Sequence, residues 1–304
     1  MIAGPSITLF ALPKPFHGHI GIIQRNAVTS WARLQPRPDI FLFGEEDGVA
    51  EIAAELNLHH VRDIARNEFG TPLLNDLLVR ARQVAPTNLL CYANSDIILL
   101  QEFLTAIDLV HAAFPRFLAV AHRLNIDLND PLDFASDGEQ KLRREILPHG
   151  SPGDHTAIDV FVFPRDVYAE VPPLAIGRAW FDQWLIKEAH RLGIPVVDIT
   201  HKARAIHQNH AYAHIAGGQK GAYWGEEALR SLEIYGGKPH AFTLLDATHE
   251  ITPTGEIQPI RCRRARHQAR QWLWRNFVLR TAFIRNKLGI RRSRASDKGT
   301  AVKT

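Results

Sequence analysis

Short apolar runs alternate with stretches of helical spacing over most of this chain. Ile7 to Leu12 is apolar throughout and closed by Pro13, which predicts a buried strand. Ile20, Ile23, Ala27 and Trp31 then recur at helical intervals, predicting a helix over 20–34 that stops at Gln35-Pro36. Asp39 to Phe43 predicts a second strand, Val49 to Leu56 a helix, and His59 to Ile64 a third strand. Thr71 as N-cap and Pro72 at the first turn predict a helix over 73–85. A strand over 88–93, a helix over 101–113 and a strand over 117–122 follow. Residues 125–153 turn polar and irregular, which inside a compact domain predicts a functional loop. Strand character returns at Ala157 to Phe163 and Pro195 to Ile199, with an amphipathic helix at 180–192 closed by Gly193. A helix over 226–234 and a short last strand over 242–245 complete the pattern.

Strand and helix joined by short connections predict an α/β fold, a Rossmann-like, mostly parallel sheet flanked by helices. There is no 20–50-residue repeat. Residues 1–245 are expected to form the folded body, in halves of about 1–122 and 123–245. Residues 246–304 are expected to be a linker and a basic, aromatic helical tail, disordered at its end after about Ile290.

Charge sharpens that division. Residues 261–304 hold 11 Arg and 3 Lys against one acid, a formal +13; with +4 for the whole chain, residues 1–260 carry −9. Leu273, Phe277, Ile284 and Leu288 make one helical stripe in the tail, interrupted by Arg280. Basic and aromatic residues over 261–290 suggest docking to an anionic membrane surface; charge alone favours nucleic acid less. No apolar run reaches the eighteen or so residues of a membrane span, and the first residues do not read as a signal peptide. The isolated Cys91 and Cys262 suggest neither a disulfide nor a zinc cluster. A cytoplasmic protein, peripheral on the inner membrane face, is the expected setting.

Candidate chemistry centres on Asn88 to Leu100, NLLCYANSDIILL. An apolar strand there ends in small polar residues and one carboxylate, Asp96, where open α/β sheets bind ligands. The chain has no Gly-X-Gly-X-X-Gly, no Gly-Lys-Ser/Thr phosphate loop and no Gly-X-Ser-X-Gly elbow, so dehydrogenase, ATPase and esterase readings lack their fingerprints.

Seven segments in order resemble the GT-A glycosyltransferases, the nucleotide-diphospho-sugar transferases: Gln24-Arg25-Asn26-Ala27, Phe41 to Glu46, Gly70 to Asn75, Tyr92 to Leu99, Asp159 to Pro164, Trp180 to Leu185, and His207-Gln208-Asn209-His210. Asn94-Ser95-Asp96 is similar to the family's Asp-X-Asp element, with Asn94 in place of its first acid. The resemblance implies a divalent metal, Mn²⁺ first and Mg²⁺ second, held by Asp96 and a late histidine. His207, His210 and His214 are candidates; His207 and His210 are preferred, with no choice between them. It also implies a nucleotide-diphospho-sugar donor contacting Pro13, Gln24, Arg25, Glu45, Arg66, Asn75, Asn94 and Ser95. The acceptor would be a glycan, a lipid-linked glycan or a protein. Asp182, at the head of its helix, resembles the family's general base, with Asp159 and Asp154 in reserve; a first-turn carboxylate also suits the helix dipole alone. Trp180 and Trp184 would form a sugar platform or core. Two other readings compete. A sugar-1-phosphate nucleotidyltransferase would need a Gly-rich basic loop, of which Leu12-Pro13-Lys14-Pro15 is a poor version. A non-catalytic binding protein would explain the acid lost at Asn94.

Overall fold

The computed structural model describes residues 6–210, 218–237 and 241–269. The chain divides into two units, Met1–Arg261 and Cys262–Thr304. In the second, residues 263–269 are helical; the stripe Leu273, Phe277, Ile284 and Leu288 lies outside the described residues, as does His214. Among the described residues no helix is long and apolar enough to cross a membrane.

In the first unit, β1 (Ile7–Ala11), α1 (Gly18–Ala32), β2 (Asp39–Phe43), α2 (Val49–Glu55) and β3 (His59–Val61) are followed by α3 (Leu74–Val84), β4 (Leu89–Ala93), β5 (Ile97–Ile98) and α4 (Glu102–Ala113). The second half holds β6 (Leu118–Ile126), α5 (Gly138–Lys141), β7 (Ser151–Pro152), β8 (Ile158–Pro164), α6 (Phe181–Arg191), β9 (Val196–Asp198), β10 (Ala205–Gln208), α7 (Gly218–Trp224), α8 (Glu226–Tyr235), β11 (His249–Ile251) and β12 (Ile257–Pro259). The main sheet runs β12-β11-β9-β6-β8-β4-β1-β2-β3. It is parallel except at β8, antiparallel to both β4 and β6, and at β12 on the edge.

Both faces of the sheet are covered, so its strands are apolar on both sides. Leu9, Cys91, Val160 and Val162 point to one face, where Trp31 of α1, Ile52 of α2 and Phe103 and Ile107 of α4 cover them. Phe10, Tyr92, Phe161 and Phe163 point to the other, under Leu77 and Leu78 of α3 and Leu185 and Ile186 of α6. Each such large side chain contributes roughly 1.5–3 kcal/mol by leaving water.

β6 serves two sheets. Its first half pairs with β8 and β9, the register shifts between Val120 and His122, and residues 123–126 pair with β10. A bulge of this kind bends the strand and re-aims the side chains beyond it. β10 in turn pairs antiparallel with β5.

Several expectations change. Residues 242–245 form no strand: Leu244–Asp246 is a 3₁₀ turn capped by Thr243. The stretch expected to be a linker instead adds β11 and β12 to the sheet, because Ile251 is buried and β11 pairs with β9. α3 starts at Leu74 without a side-chain cap, as Thr71 and Pro72 belong to the loop before it. The polar stretch 125–153 carries α5, a π-helical turn at Leu142–Ile146, a 3₁₀ turn and β7. Trp184 is core, beside Tyr168. Trp180 packs partly against Tyr235.

Candidate metal and acid-base site

The chain turns sharply after β4, and Asp96 occupies the turn at the carboxyl ends of the parallel strands. Ile97, one residue on, lies opposite His207 in the β5–β10 ladder. That register closes a gap of more than a hundred residues. His210 Nε2 lies 3.0 Å from Asp96 Oδ2, and His207 Nε2 lies 3.9 Å from the same oxygen. One ligand atom from each of the three residues falls within 4.8 Å of the others. The side chains of Asp96, His207 and His210 are only 13, 8 and 6 % exposed.

Buried polar groups without partners are costly, and this cluster has two: Asp96 Oδ1 and His207 Nδ1 are buried and make no hydrogen bond. The oxygen and imidazole donor set suits a divalent transition ion such as Mn²⁺ better than Mg²⁺. The residues present therefore fit a metal ion. Burial opposes ionisation of Asp96, but His207, His210 and Lys14 outweigh it and hold the carboxyl below its usual range. Burial lowers the pKa of His207, against the pull of Asp96, and so favours the neutral imidazole a metal requires.

A buried amide network holds this cluster in place. Gln24 of α1 is bonded through its Oε1 by the Lys14 backbone N–H and the Ser95 hydroxyl, and donates to Lys14 O. Gln208, beside His207, donates to Ile23 O and Asp96 O and accepts from Asn26. The Trp31 indole donates to Ile97 O at 2.8 Å. These bonds fix the backbone of the Asp96 turn from two directions.

A second group lies on the β8 side. Because β8 runs antiparallel, its first residues meet the end of β4, and Asp159 accepts from the Asn94 amide at 2.7 Å. Arg123, just past the β6 bulge, pairs with Asp159 at 3.3 Å. Burial raises the Asp159 pKa, and the charge of Arg123 opposes that rise. Asp182 lies in the first turn of α6, two residues after Trp180, whose φ of +88° is a left-handed conformation seldom adopted by a bulky residue. Burial, reinforced by the charge of Asp159, pushes the Asp182 carboxyl up to about 7.

The structure brings Asp96, His207, His210, Asn94, Ser95, Gln24 and Asp159 into one connected set. Asp182 and Lys14 couple to it through charge. Other expected donor contacts sit elsewhere. Arg25 faces outward and forms a two-pronged ion pair with Glu55. Glu45 pairs with Arg62 at the surface, and Arg66 with Glu46. Asn75 keeps a buried, unpartnered Oδ1, and Pro13 is buried beside Lys14. Lys14 and Arg123 were missing from the expected site. Lys14 carried a signal, as a lone cation between two prolines just after the first strand; Arg123 carried none, since only the bulge aims it.

No protein-family profile matches this chain, and no curated protein does. Solved structures do resemble it. One is a protein assigned as a nucleotide-diphospho-sugar transferase from Desulfovibrio desulfuricans G20, at 14% identity and TM-score 0.41, covering 76% of this chain and 96% of that one. Another is glucosyl-3-phosphoglycerate synthase from Mycobacterium tuberculosis in complex with Mg²⁺ and uridine-diphosphate, at 14% identity and TM-score 0.46, covering 79% and 82%. A third is S. aureus TarS 1-349, at 8% identity and TM-score 0.41, covering 67% and 58%.

Proposed function

We propose that this protein is a metal-dependent glycosyltransferase, moving a sugar from a nucleoside-diphosphate donor to a hydroxyl acceptor. The convergence of Asp96 with His207 and His210 at the carboxyl ends of the strands carries this reading. When bound there, a divalent ion, Mn²⁺ before Mg²⁺, supplies Lewis-acid charge against a departing diphosphate.

The chain's own residues divide the remaining work. Lys14 adds a cation whose charge acts on Asp96 and Asp159, although burial lowers its pKa. Asp182, with a pKa near 7, is ionised at mildly alkaline pH yet basic enough to take the acceptor hydroxyl's proton. As that proton moves to the carboxylate, the acceptor oxygen bonds to the anomeric carbon and the glycosyl–phosphate bond breaks, its electron pair leaving on the diphosphate. Displacement of this kind inverts the anomeric centre. Arg123 and Asn94 hold Asp159 between the two halves, so Asp159 acts as a positioning residue.

Titration calorimetry with Mn²⁺ and UDP- and GDP-sugars tests this reading. One donor class should bind only with Mn²⁺, and Asp96→Ala should abolish that binding. Failure of every donor to bind, or unchanged binding in Asp96→Ala, would overturn it.

A further inference from the structure

Trp180 holds its left-handed backbone immediately before α6. That conformation is strained for a bulky residue and persists only where the surroundings enforce it. Two contacts do so. The Trp180 ring packs against Tyr235, with centroids 5.1 Å apart, and its backbone N–H donates to Gln183 Oε1 at 2.9 Å. The turn that launches α6 is therefore closed by a side chain three residues further on, in the manner of a capping box.

That bond also decides which way the Gln183 amide points. A backbone N–H can only donate, so the atom it meets is the amide oxygen, and the amide nitrogen is turned the other way. There Gln183 Nε2 donates to Asp182 Oδ2 at 3.3 Å. Reversing the amide would set N–H against N–H and oxygen against carboxylate, losing both bonds. One side chain thus links the strained residue before the helix to the carboxylate in its first turn.

The remaining groups that act on Asp182 come from three strands. Asp159 of β8 reinforces burial in raising its pKa, while the Gln183 backbone N–H and the charge of Arg123 on β6 oppose the rise. Tyr92 of β4 feels the Asp182 charge, and its ring meets that of Phe181 edge-on. Among the described residues, the side-chain hydrogen bond to Asp182 comes from Gln183.

On the reading of Asp182 as the base, we propose that Gln183 is its positioning residue. The amide fixes the carboxylate at the head of α6 and stabilises its ionised form through the donated hydrogen bond. Gln183 forms and breaks no bond in the transfer. It sets the direction and readiness of the group that takes the acceptor's proton.

Carboxyl ¹³C NMR on the full chain labelled at aspartate follows the Asp182 titration, with Asp182→Asn identifying the resonance. No donor or metal is needed. The wild-type midpoint is expected near pH 7. Gln183→Glu keeps an oxygen for the Trp180 N–H and so preserves the cap, but sets a second carboxylate against Asp182. The upper midpoint of that pair should lie about one pH unit or more above the wild-type value. Gln183→Met removes both bonds and should raise the midpoint by less. Arg191→Gln, at the far end of α6 where Arg191 pairs with Glu188, should leave it unchanged. An unmoved or lowered midpoint in Gln183→Glu would reduce Gln183 to a helix cap and overturn the proposal. With a UDP- or GDP-sugar that binds, kcat of Gln183→Glu at pH 7 should fall about tenfold at constant KM and recover at higher pH; a change in KM alone counts against it. If no donor binds, the glycosyltransferase reading fails by itself, and the titration still decides whether Gln183 governs Asp182.

Discussion

The Asn94 side-chain amide donates to the Asp159 carboxylate at 2.7 Å, while its oxygen accepts from the Tyr92 hydroxyl at 2.9 Å. Both ends of this amide are therefore committed within the protein. An acid at position 94 would face Asp159 across a hydrogen-bond distance, and two carboxylates that close cannot both ionise. Asn94→Asp is thus expected to weaken the site rather than restore a second acidic metal ligand. Chemical denaturation at pH 8 should show a loss of about 1–3 kcal/mol, shrinking toward pH 5 as one carboxyl of the pair takes up a proton. Tighter Mn²⁺ binding in this variant would contradict the assignment.

Asp182 sets an expected pH profile. With its pKa pushed up to about 7, the base form grows as pH rises, so transfer should increase through pH 7 and level off above 8. Asp182→Asn should lower kcat by roughly 10²–10⁴. Stability runs the opposite way. A carboxyl whose pKa is raised by folding stabilises fully below its unfolded value and loses that contribution as pH rises through its folded one. Asp182→Asn should therefore be more stable than wild type at pH 8 by up to about 4 kcal/mol, with a smaller difference at pH 5.

Metal should stabilise the fold through the Asp96 cluster. At a hundredfold excess over Kd, Mn²⁺ is expected to add about 2.7 kcal/mol, read as a rise in Tm that a chelator reverses. His207→Ala and His210→Ala should each reduce the rise, and Asp96→Ala should abolish it. An undiminished rise in Asp96→Ala would place the ion elsewhere.

Gln208 tests the supporting network. Gln208→Leu removes the side-chain bonds to Asp96 O and Ile23 O and from the Asn26 amide, while Asp96 O keeps the Gln208 backbone N–H and Asn26 keeps Asp130 O, at an expected cost of about 1–3 kcal/mol in urea denaturation. Mn²⁺ affinity should fall with it.

Arg25 provides the contrast. Its guanidinium is turned to Glu55 at the surface, so Arg25→Ala should change stability by about 1 kcal/mol or less and leave donor affinity as it was. A marked loss of donor affinity would show that this side chain reaches the site.

How much of this was legible depends on the kind of pattern each residue carried. Asp96 stood out because a lone carboxylate after a buried strand is a period-breaking event in an apolar run. His207 and His210 stood out by their crowding, though only the β5–β10 register shows that both reach Asp96. Gln24 was expected at the donor, and its amide instead ties Lys14 to Ser95. The reversed direction of β8 was hidden, since a doubly buried strand has the same apolar pattern read either way. β11 escaped notice because two of its three residues, His249 and Glu250, are polar, while the more apolar Phe242 to Leu245 forms a turn.

The β5–β10 pairing has a consequence for how the protein comes into being. During synthesis the carboxylate end of the cluster emerges first, and its imidazoles follow only after β6, β8 and α6 have been made. A nascent chain stopped short of His207 carries Asp96 with neither imidazole beside it. Contacts this distant in sequence form late, because loop closure must precede them. Acquisition of metal affinity on the ribosome would thus mark the moment at which the two halves of the sheet have joined.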